Sequence, residues 1–429
     1  MRATVIVIAG TLVGCASAPS SPTDAAPIVD TAVDAAACLT SPLTADWSDA
    51  TSSLAGCGLR VGRNPQPISV CWAPCTTVSI STGCDEWVSS WGLASGPLVE
   101  RNGVGYFTLV GLDVDHIATA IVGEGGDVLA AFESTDVVTP DPHSCSAEVV
   151  ALSADTLVLQ LHEDRPTPPT GTYLGYAGEL HMGAFADIAS WSVPRVSEPD
   201  LGWIRVGVTT TAFAALSKLQ AHAPQDVLFV DASGAQHVAP LEAGGWVRDV
   251  VGIVGGRVLW IEIEGSGSIA VQRDAAGSVG AFIDHRPAWI TAMGMDDTEL
   301  VWVEQADVTT GTRAHLFHSA LTATASAITP VAVPETIGWG ALPAPLEGAS
   351  FGHGLAALWS VTATAVELRV VDVASGDARV LRLPPTRVEL DVLITSPHTL
   401  LVAWEADSIT DPTTHLYRID VGALPRLAP

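Results

Sequence analysis

Glutamates beside repeated tryptophans are the residues best spaced for chemistry in this chain: Glu262 and Glu264 follow Trp260, Glu304 follows Trp302, and Glu405 follows Trp404. Convergent carboxylates could bind Ca²⁺ through hard oxygen ligands or divide acid and base duties between them. Alternation along half-exposed strands produces the same residues as plain polar faces, and that reading is favoured. No EF-hand loop accompanies them, and "MDDTE" (295–299) reads as an ordinary turn. No cofactor or metal is therefore expected, Ca²⁺ being unsupported. The alternative keeps Glu262, Glu304 and Glu405 as catalytic carboxylates near a ring axis.

Two histidine clusters stand out, His162-Glu163-Asp164 and His315-Leu316-Phe317-His318. On a strand, positions three apart face opposite sides, so His315 and His318 are not expected to share a metal. The first cluster precedes the Pro-rich "RPTPPTGT" and is expected to be solvated. No serine elbow, SxxK or free cysteine is expected as a nucleophile. "GVGYFTLVG" and "GIVGGRV" are glycine-rich, but neither opens a predicted helix, which removes the basis for a phosphate cradle.

The elements that must position these residues are short. Trp260, Trp302, Trp359 and Trp404 sit in "RVLWIEIE" (257–264), "ELVWVEQ" (299–305), "LAALWSV" (355–361) and "LLVAWEA" (400–406), at spacings of 42, 57 and 45. Each run is rich in aromatic and β-branched residues and bounded by turn formers, the signature of a strand. A turn and an alternating run follow each one: "SIAVQRD", "HLFHSAL", "VELRVVDV" and "HLYRIDV". Ala374-Ser375-Gly376-Asp377 then supplies a hairpin in "VVDVASGDARVLRL". The unit is a four-stranded antiparallel meander of about 45 residues, with the tryptophans in the blade cores.

Four such units in the later part and three fainter ones (105–132, 147–181, 202–241) predict an all-β propeller of about seven four-stranded blades, six or eight lying within one of that count. A pair of β-sandwiches would not explain the recurring order of turn, tryptophan strand and hairpin. The last unit runs short of a fourth strand, so "QPISVCWAP" (66–74) is the expected closing strand. The phrases "SPHTLLVAW" and "VVDVASGDARVL" resemble the blade signatures of TolB-like and other WD40-like bacterial propellers, over residues 86–429. The GH and WD dipeptides of true WD40 repeats are missing. The resemblance implies protein binding at the cell envelope, and the fold alone implies no chemistry.

At the other end, Arg2, an apolar run from Val5 to Val13 and then Leu12-Val13-Gly14-Cys15 resemble a bacterial lipoprotein signal with its lipobox. The resemblance implies removal of residues 1–14, lipidation of Cys15 and, with Ala16 rather than Asp next, sorting to the outer membrane, facing the periplasm or the cell surface. Residues 15–37, made of Ala, Pro, Ser, Thr and Asp, are expected to form a disordered tether. Cys38, Cys57, Cys71, Cys75, Cys84 and Cys145 are an even set, expected as disulfides in an exported protein. Five of them define a cysteine-rich, disulfide-linked segment, 38–85, ahead of the propeller at 86–429. Three residues separate Cys71 from Cys75, and no CxxC or nearby histidine pair argues for zinc.

Composition narrows the partners. The 47 acidic residues against 19 Lys plus Arg give a formal charge of −28, which disfavours nucleic acid. No second apolar stretch approaches a membrane span. The leading expectation is a monomeric, lipid-anchored binding protein that uses a propeller face to hold a protein or glycan, without catalysis. The alternatives are a propeller hydrolase or lyase and a structural spacer of the envelope.

Overall fold

The computed structural model describes residues 43–50, 57–68, 72–75, 83–87, 93–112, 117–136, 144–152, 156–165, 175–184, 202–208, 213–218, 227–230, 236–239, 246–254, 257–264, 267–273, 279–286, 288–295, 299–306, 313–320, 329–335, 337–384, 390–405 and 414–427. Cys15, Cys38 and Cys71 lie outside the described residues. All the sheets belong to one unit, Cys38–Pro429.

Four strands come from the cysteine-rich stretch: β1 (Asp46–Ala50), β2 (Cys57–Arg63), β3 (Trp72–Pro74) and β4 (Cys84–Trp87). A first meander follows, made of β5 (Leu93–Arg101), β6 (Val104–Leu112), β7 (Ile117–Gly123) and β8 (Val128–Asp136). The second comprises β9 (Ser144–Leu152), β10 (Thr156–Arg165) and β11 (Gly175–Ala184). The third has β12 (Gly202–Val208), β13 (Phe213–Lys218), β14 (Val227–Val230) and β15 (Gln236–Ala239). In the fourth are β16 (Trp246–Val254), β17 (Arg257–Glu264), β18 (Gly267–Arg273) and β19 (Val279–Arg286). The fifth holds β20 (Trp289–Met295), β21 (Glu299–Gln305), β22 (Ala314–Ala320) and β23 (Val331–Ala332). The sixth holds β24 (Leu346–Gly352), β25 (Leu355–Val361), β26 (Val366–Asp372) and β27 (Ala378–Leu383). The seventh starts with β28 (Asp391–Ser396), β29 (Thr399–Glu405) and β30 (Thr414–Asp420).

Each meander is an antiparallel sheet in sequence order, and the first strand of each touches the first strand of the next: β5 with β9, then β12, β16, β20, β24 and β28, which returns to β5. Radial repetition of this kind is a β-propeller, and it leaves only short sheet edges. Among the described residues the one helical element is a 3₁₀ turn, Val421–Ala423. None is a helix long and apolar enough to cross a membrane.

The tryptophan runs become second strands, β17, β21, β25 and β29, within a residue of the bounds read from the sequence. Trp260 and Trp302 are fully buried, and Trp359 and Trp404 are buried as well. Trp302, Trp359 and Trp404 fill clusters between neighbouring sheets, as the alternation of inward and outward side chains requires. Gly348 on β24 lies so close under the Trp359 indole that a side chain there would overlap it.

Closure departs from expectation. The strand that pairs with β30 is β4, in the register Tyr417↔Glu86, Arg418↔Asp85 and Ile419↔Cys84. Residues 72–74 of the expected closing strand are β3, which pairs outside β4 as the fifth strand. The cysteine-rich stretch is accordingly part of the sheets rather than a segment ahead of them: β1 and β2 extend the first sheet beyond β8. Leu59 and Val61 of β2 are core residues, so apolar burial holds this stretch together along with its cross-links. Cys57–Cys145 ties β2 to β9 across the seam between the first and second sheets, and Cys75–Cys84 ties β3 to β4. At the other terminus, Val380 N donates to Pro425 O and Leu427 N to Ala378 O, which lays the chain end along β27.

The expected hairpin at Ala374–Asp377 joins β26 to β27, with the Asp372 carboxylate accepting from Ser375 N and Oγ. Gly376 takes φ +74°, and a Cβ added there would overlap the Pro334 carbonyl. Gly376→Ala would combine left-handed strain with that overlap, lowering unfolding free energy by at least about 2 kcal/mol, measurable as a reduced chemical-denaturation midpoint.

Candidate functional site

A glutamate two residues beyond a tryptophan on a strand shares its face. Trp260 Nε1 donates to Glu262 Oε1 at 2.8 Å, and Trp302 Nε1 donates to Glu304 Oε1 at 3.0 Å. Both carboxylates are buried, with relative exposures of 0% and 4%. A carboxylate taken out of water needs partners to compensate for lost hydration. Glu304 obtains a cation from the neighbouring sheet: Arg286, at the end of β19, donates Nε to Oε1 at 2.7 Å and a terminal nitrogen to Oε2 at 3.3 Å. The same guanidinium lies over the Phe317 ring, 5.3 Å from its centroid.

These positions bear on the alternative that made Glu262, Glu304 and Glu405 catalytic carboxylates. Glu262 and Glu304 stand on the second strands of their meanders, one strand out from the inner wall formed by β16 and β20, and their oxygens are engaged within the blades. Glu405 ends β29 and Glu264 ends β17, while their side chains lie outside the described residues. The sixth sheet meets the same need differently. Glu367 on β26 accepts from Arg369 at 2.7 and 2.9 Å and from Arg382 at 3.1 Å, and Arg369 also donates to the Trp339 carbonyl. In the seventh, Trp404 packs against His415 with rings tilted by 34° and centroids 4.8 Å apart, and its Nε1 has no hydrogen-bond partner among the described residues.

His315 and His318 face opposite ways on β22, as strand geometry requires; His315 is exposed and His318 Nδ1 lies 2.6 Å from Glu299 Oε1. His162, Glu163 and Asp164 belong to β10 rather than to the following loop, with side chains outside the described residues. One G-x-S-x-G run does occur, Gly348-Ala349-Ser350-Phe351-Gly352, against the expectation of no serine motif. Ser350 sits within β24, paired with Ala357, and lacks the sharp strand-to-helix turn that would present its hydroxyl as a nucleophile. Among the described residues, no three His, Cys, Asp or Glu side chains gather as a metal site.

An open concavity lies elsewhere. A cleft of about 460 Å³ lies where the seventh sheet closes, lined by Gly83, Asp85, His398, Thr399, Arg418 and Asp420. Arg418 organises it: one terminal nitrogen reaches Asp85 Oδ2 at 2.7 Å, the other stands 3.7 Å from Glu124 Oε2, and the guanidinium lies over Trp72 at 4.7 Å. Glu124 belongs to the turn between β7 and β8, and its Oε1 accepts from Gly105 N at 2.9 Å. Asp420 Oδ1 accepts from Gly422 N at 2.8 Å and so caps the 3₁₀ turn. The walls offer carboxylate, imidazole, hydroxyl and guanidinium groups, a set suited to hydrogen bonding with a polar ligand. None of these residues carries a local motif, since Asp85 and Arg418 meet only through closure.

Tyr106 on β6 is a further buried group that sequence reading missed. Its hydroxyl donates to Asp127 Oδ2 at 2.7 Å. Burial, then the hydrogen bond to Asp127 and that residue's negative charge, push the phenol up to about 12, with Arg101 acting weakly the other way.

No protein-family model matches the chain, and no curated protein matches it. Among solved structures, it is similar to the β-propeller domain of the Trilobed protease from Pyrococcus furiosus, at 8% identity and TM-score 0.42, over 80% of this chain and 97% of that one. TolB from Acinetobacter baumannii is similar at 10% identity and TM-score 0.35, over 66% and 80%. The polysaccharide lyase Uly1 is similar at 9% identity and TM-score 0.40, over 77% and 90%.

Arg286→Ala would leave Glu304 buried without its cation, costing about 3 kcal/mol, whereas Arg286→Ala combined with Glu304→Leu should recover part of that loss; denaturant unfolding of both variants reads the difference. Because the Tyr106 phenol is raised in the folded state, its contribution to stability is complete below pH 10 and is lost as pH rises towards 12. Tyr106→Phe should flatten that part of the stability-against-pH curve.

Proposed function

We propose that this protein is a lipid-anchored binding protein of the outer membrane whose seven-bladed propeller holds a protein or glycan partner without catalysing its conversion. The observation that carries the non-catalytic reading is the engagement of the buried Glu262 and Glu304 by Trp260, Trp302 and Arg286. Groups held this way stabilise blades and are not free to exchange protons with a substrate. Seven first strands in mutual contact support the blade count. The lipobox Leu12-Val13-Gly14-Cys15 supports the anchor, and the acidic surface supports a partner that is not nucleic acid.

The cleft beside Arg418 is the place where a polar partner group would enter, and its hydrogen-bonding walls suit a sugar or a peptide side chain. His398 and Thr399 are the positions to vary, since Arg418 and Asp85 also hold the closure. His398→Ala and Thr399→Ala together should weaken retention on a glycan or peptide array at least tenfold without lowering the thermal midpoint. Unchanged binding by that variant places the partner on another face. Cys15→Ser should abolish incorporation of a fatty-acid probe and release the protein from the membrane fraction; persistent labelling would overturn the anchor.

A further inference from the structure

The closing strand is short, β4 running only from Cys84 to Trp87. Among the described residues three pairs join β4 to β30, extended by Asp420 N donating to the Gly83 carbonyl, and three more join β3 to β4. Around them are the half-buried pairs Asp85–Arg418 and Glu86–His415, the bond from Trp72 Nε1 to the Glu124 carbonyl, the buried Cys84, and Trp87, packed edge-on against Trp72 and Phe107. A two-stranded hairpin of this length does not hold its shape alone in water. Cys75–Cys84 supplies what the pairing lacks: it cross-links the hairpin over a separation of 9 residues and keeps β4 backed by β3. It does not bond the hairpin to β30.

Access distinguishes the two described disulfides. Cys57 and Cys145 are both buried, at 3% and 6% exposure, inside the cluster between the first and second sheets. Cys75 is only partly buried, at the outer edge of the seventh sheet. Other contacts hold the ring where the hairpin does not. Leu98 N on β5 donates to Asp391 Oδ2 at 3.0 Å, β28 touches β5, and Gly105 packs against Leu401 and Thr395 of the seventh meander.

We propose that the β3–β4 hairpin is a redox-gated clasp: a dithiol reductant opens Cys75–Cys84 in the folded protein, the hairpin leaves β30, and the seven meanders stay folded. In the first step a thiolate of the dithiol attacks the accessible Cys75 sulfur, the S–S bond breaks, and Cys84 leaves as a thiolate that takes up a proton. The second thiolate of the dithiol then attacks the mixed disulfide and releases Cys75. The cystine gains two electrons and two protons, and the dithiol departs as its cyclic disulfide. Detachment exposes the unpaired edge of β30 and the apolar side of Leu416 and Phe107, a surface on which an extended chain can add as a strand.

The test is hydrogen exchange on the full chain, oxidised and then treated with dithiothreitol, with alkylation and mass analysis to show which cysteines have opened. Cys75 and Cys84 should be alkylated first, with Cys57–Cys145 intact. Exchange in peptides covering 83–87 and 414–420 should then rise by roughly 10–100-fold, the range set by losing the constraint of a short closed loop, while 355–361 stays protected. The double variant Cys75→Ser/Cys84→Ser should show the same pattern without reductant. The proposal fails if Cys57–Cys145 opens first, if all peptides lose protection together, or if reduction leaves 414–420 unchanged.

Discussion

The junction between the last meander and the first is the constraint on which the closed ring depends, made by β28 against β5 and by β30 paired with β4. Meanders form from turns between neighbouring strands, but a ring needs its ends brought together, here across separations of 329 residues for His415–Glu86 and 333 for Arg418–Asp85. Closure entropy grows only with the logarithm of loop length, so spanning the whole ring costs merely about 2 kcal/mol more than closing a single blade-sized loop. A short strand with three pairs, the Asp85–Arg418 ion pair, the Glu86–His415 contact and a buried tryptophan is on the scale needed to offset that difference. Arg418 concentrates the effect, because it joins the last meander, the N-terminal hairpin and the first meander through Asp85, Trp72 and Glu124.

The seams between sheets follow one pattern. Apolar clusters do most of the joining, and a polar or covalent tie fixes the register. Arg286 crosses from the fourth sheet to Glu304 in the fifth, and Arg369 crosses from the sixth to the Trp339 carbonyl in the segment after the fifth. Cys57–Cys145 does the same between the first and second. Packing is tolerant of small sliding motions, whereas a bidentate guanidinium contact is not. The buried glutamates are thus part of how blades are spaced, which accounts for carboxylates in a chain segment otherwise rich in Val, Leu and Ile.

Much of the meander architecture was legible because strands announce themselves locally. The runs around Trp260, Trp302 and Trp359 coincide with β17, β21 and β25, and the hairpin at Ser375-Gly376 is where turn chemistry puts it. Closure was legible only in outline. "QPISVCWAP" has the better strand composition, yet "CDEW" takes the inner place, because Asp85 and Glu86 meet Arg418 and His415 while Trp87 reaches the core. Those choices are made by partners more than 300 residues away, which no window of sequence contains. The carboxylates were legible in part: Trp260 and Trp302 stand two residues before Glu262 and Glu304 in the sequence, whereas Arg286 reaches Glu304 only when two sheets pack together.

The chain end has a protective use. Residues 425–427 run beside β27 and bond to it from both directions, with Arg379 donating to the Gly422 and Leu424 carbonyls as a further tie. An outermost strand of a sheet is otherwise a template on which a second molecule can continue the ladder. By covering that rim with its own last residues, the sixth sheet is guarded against edge-to-edge self-assembly. Where copies crowd together side by side, such a guard bears on solubility more than on fold.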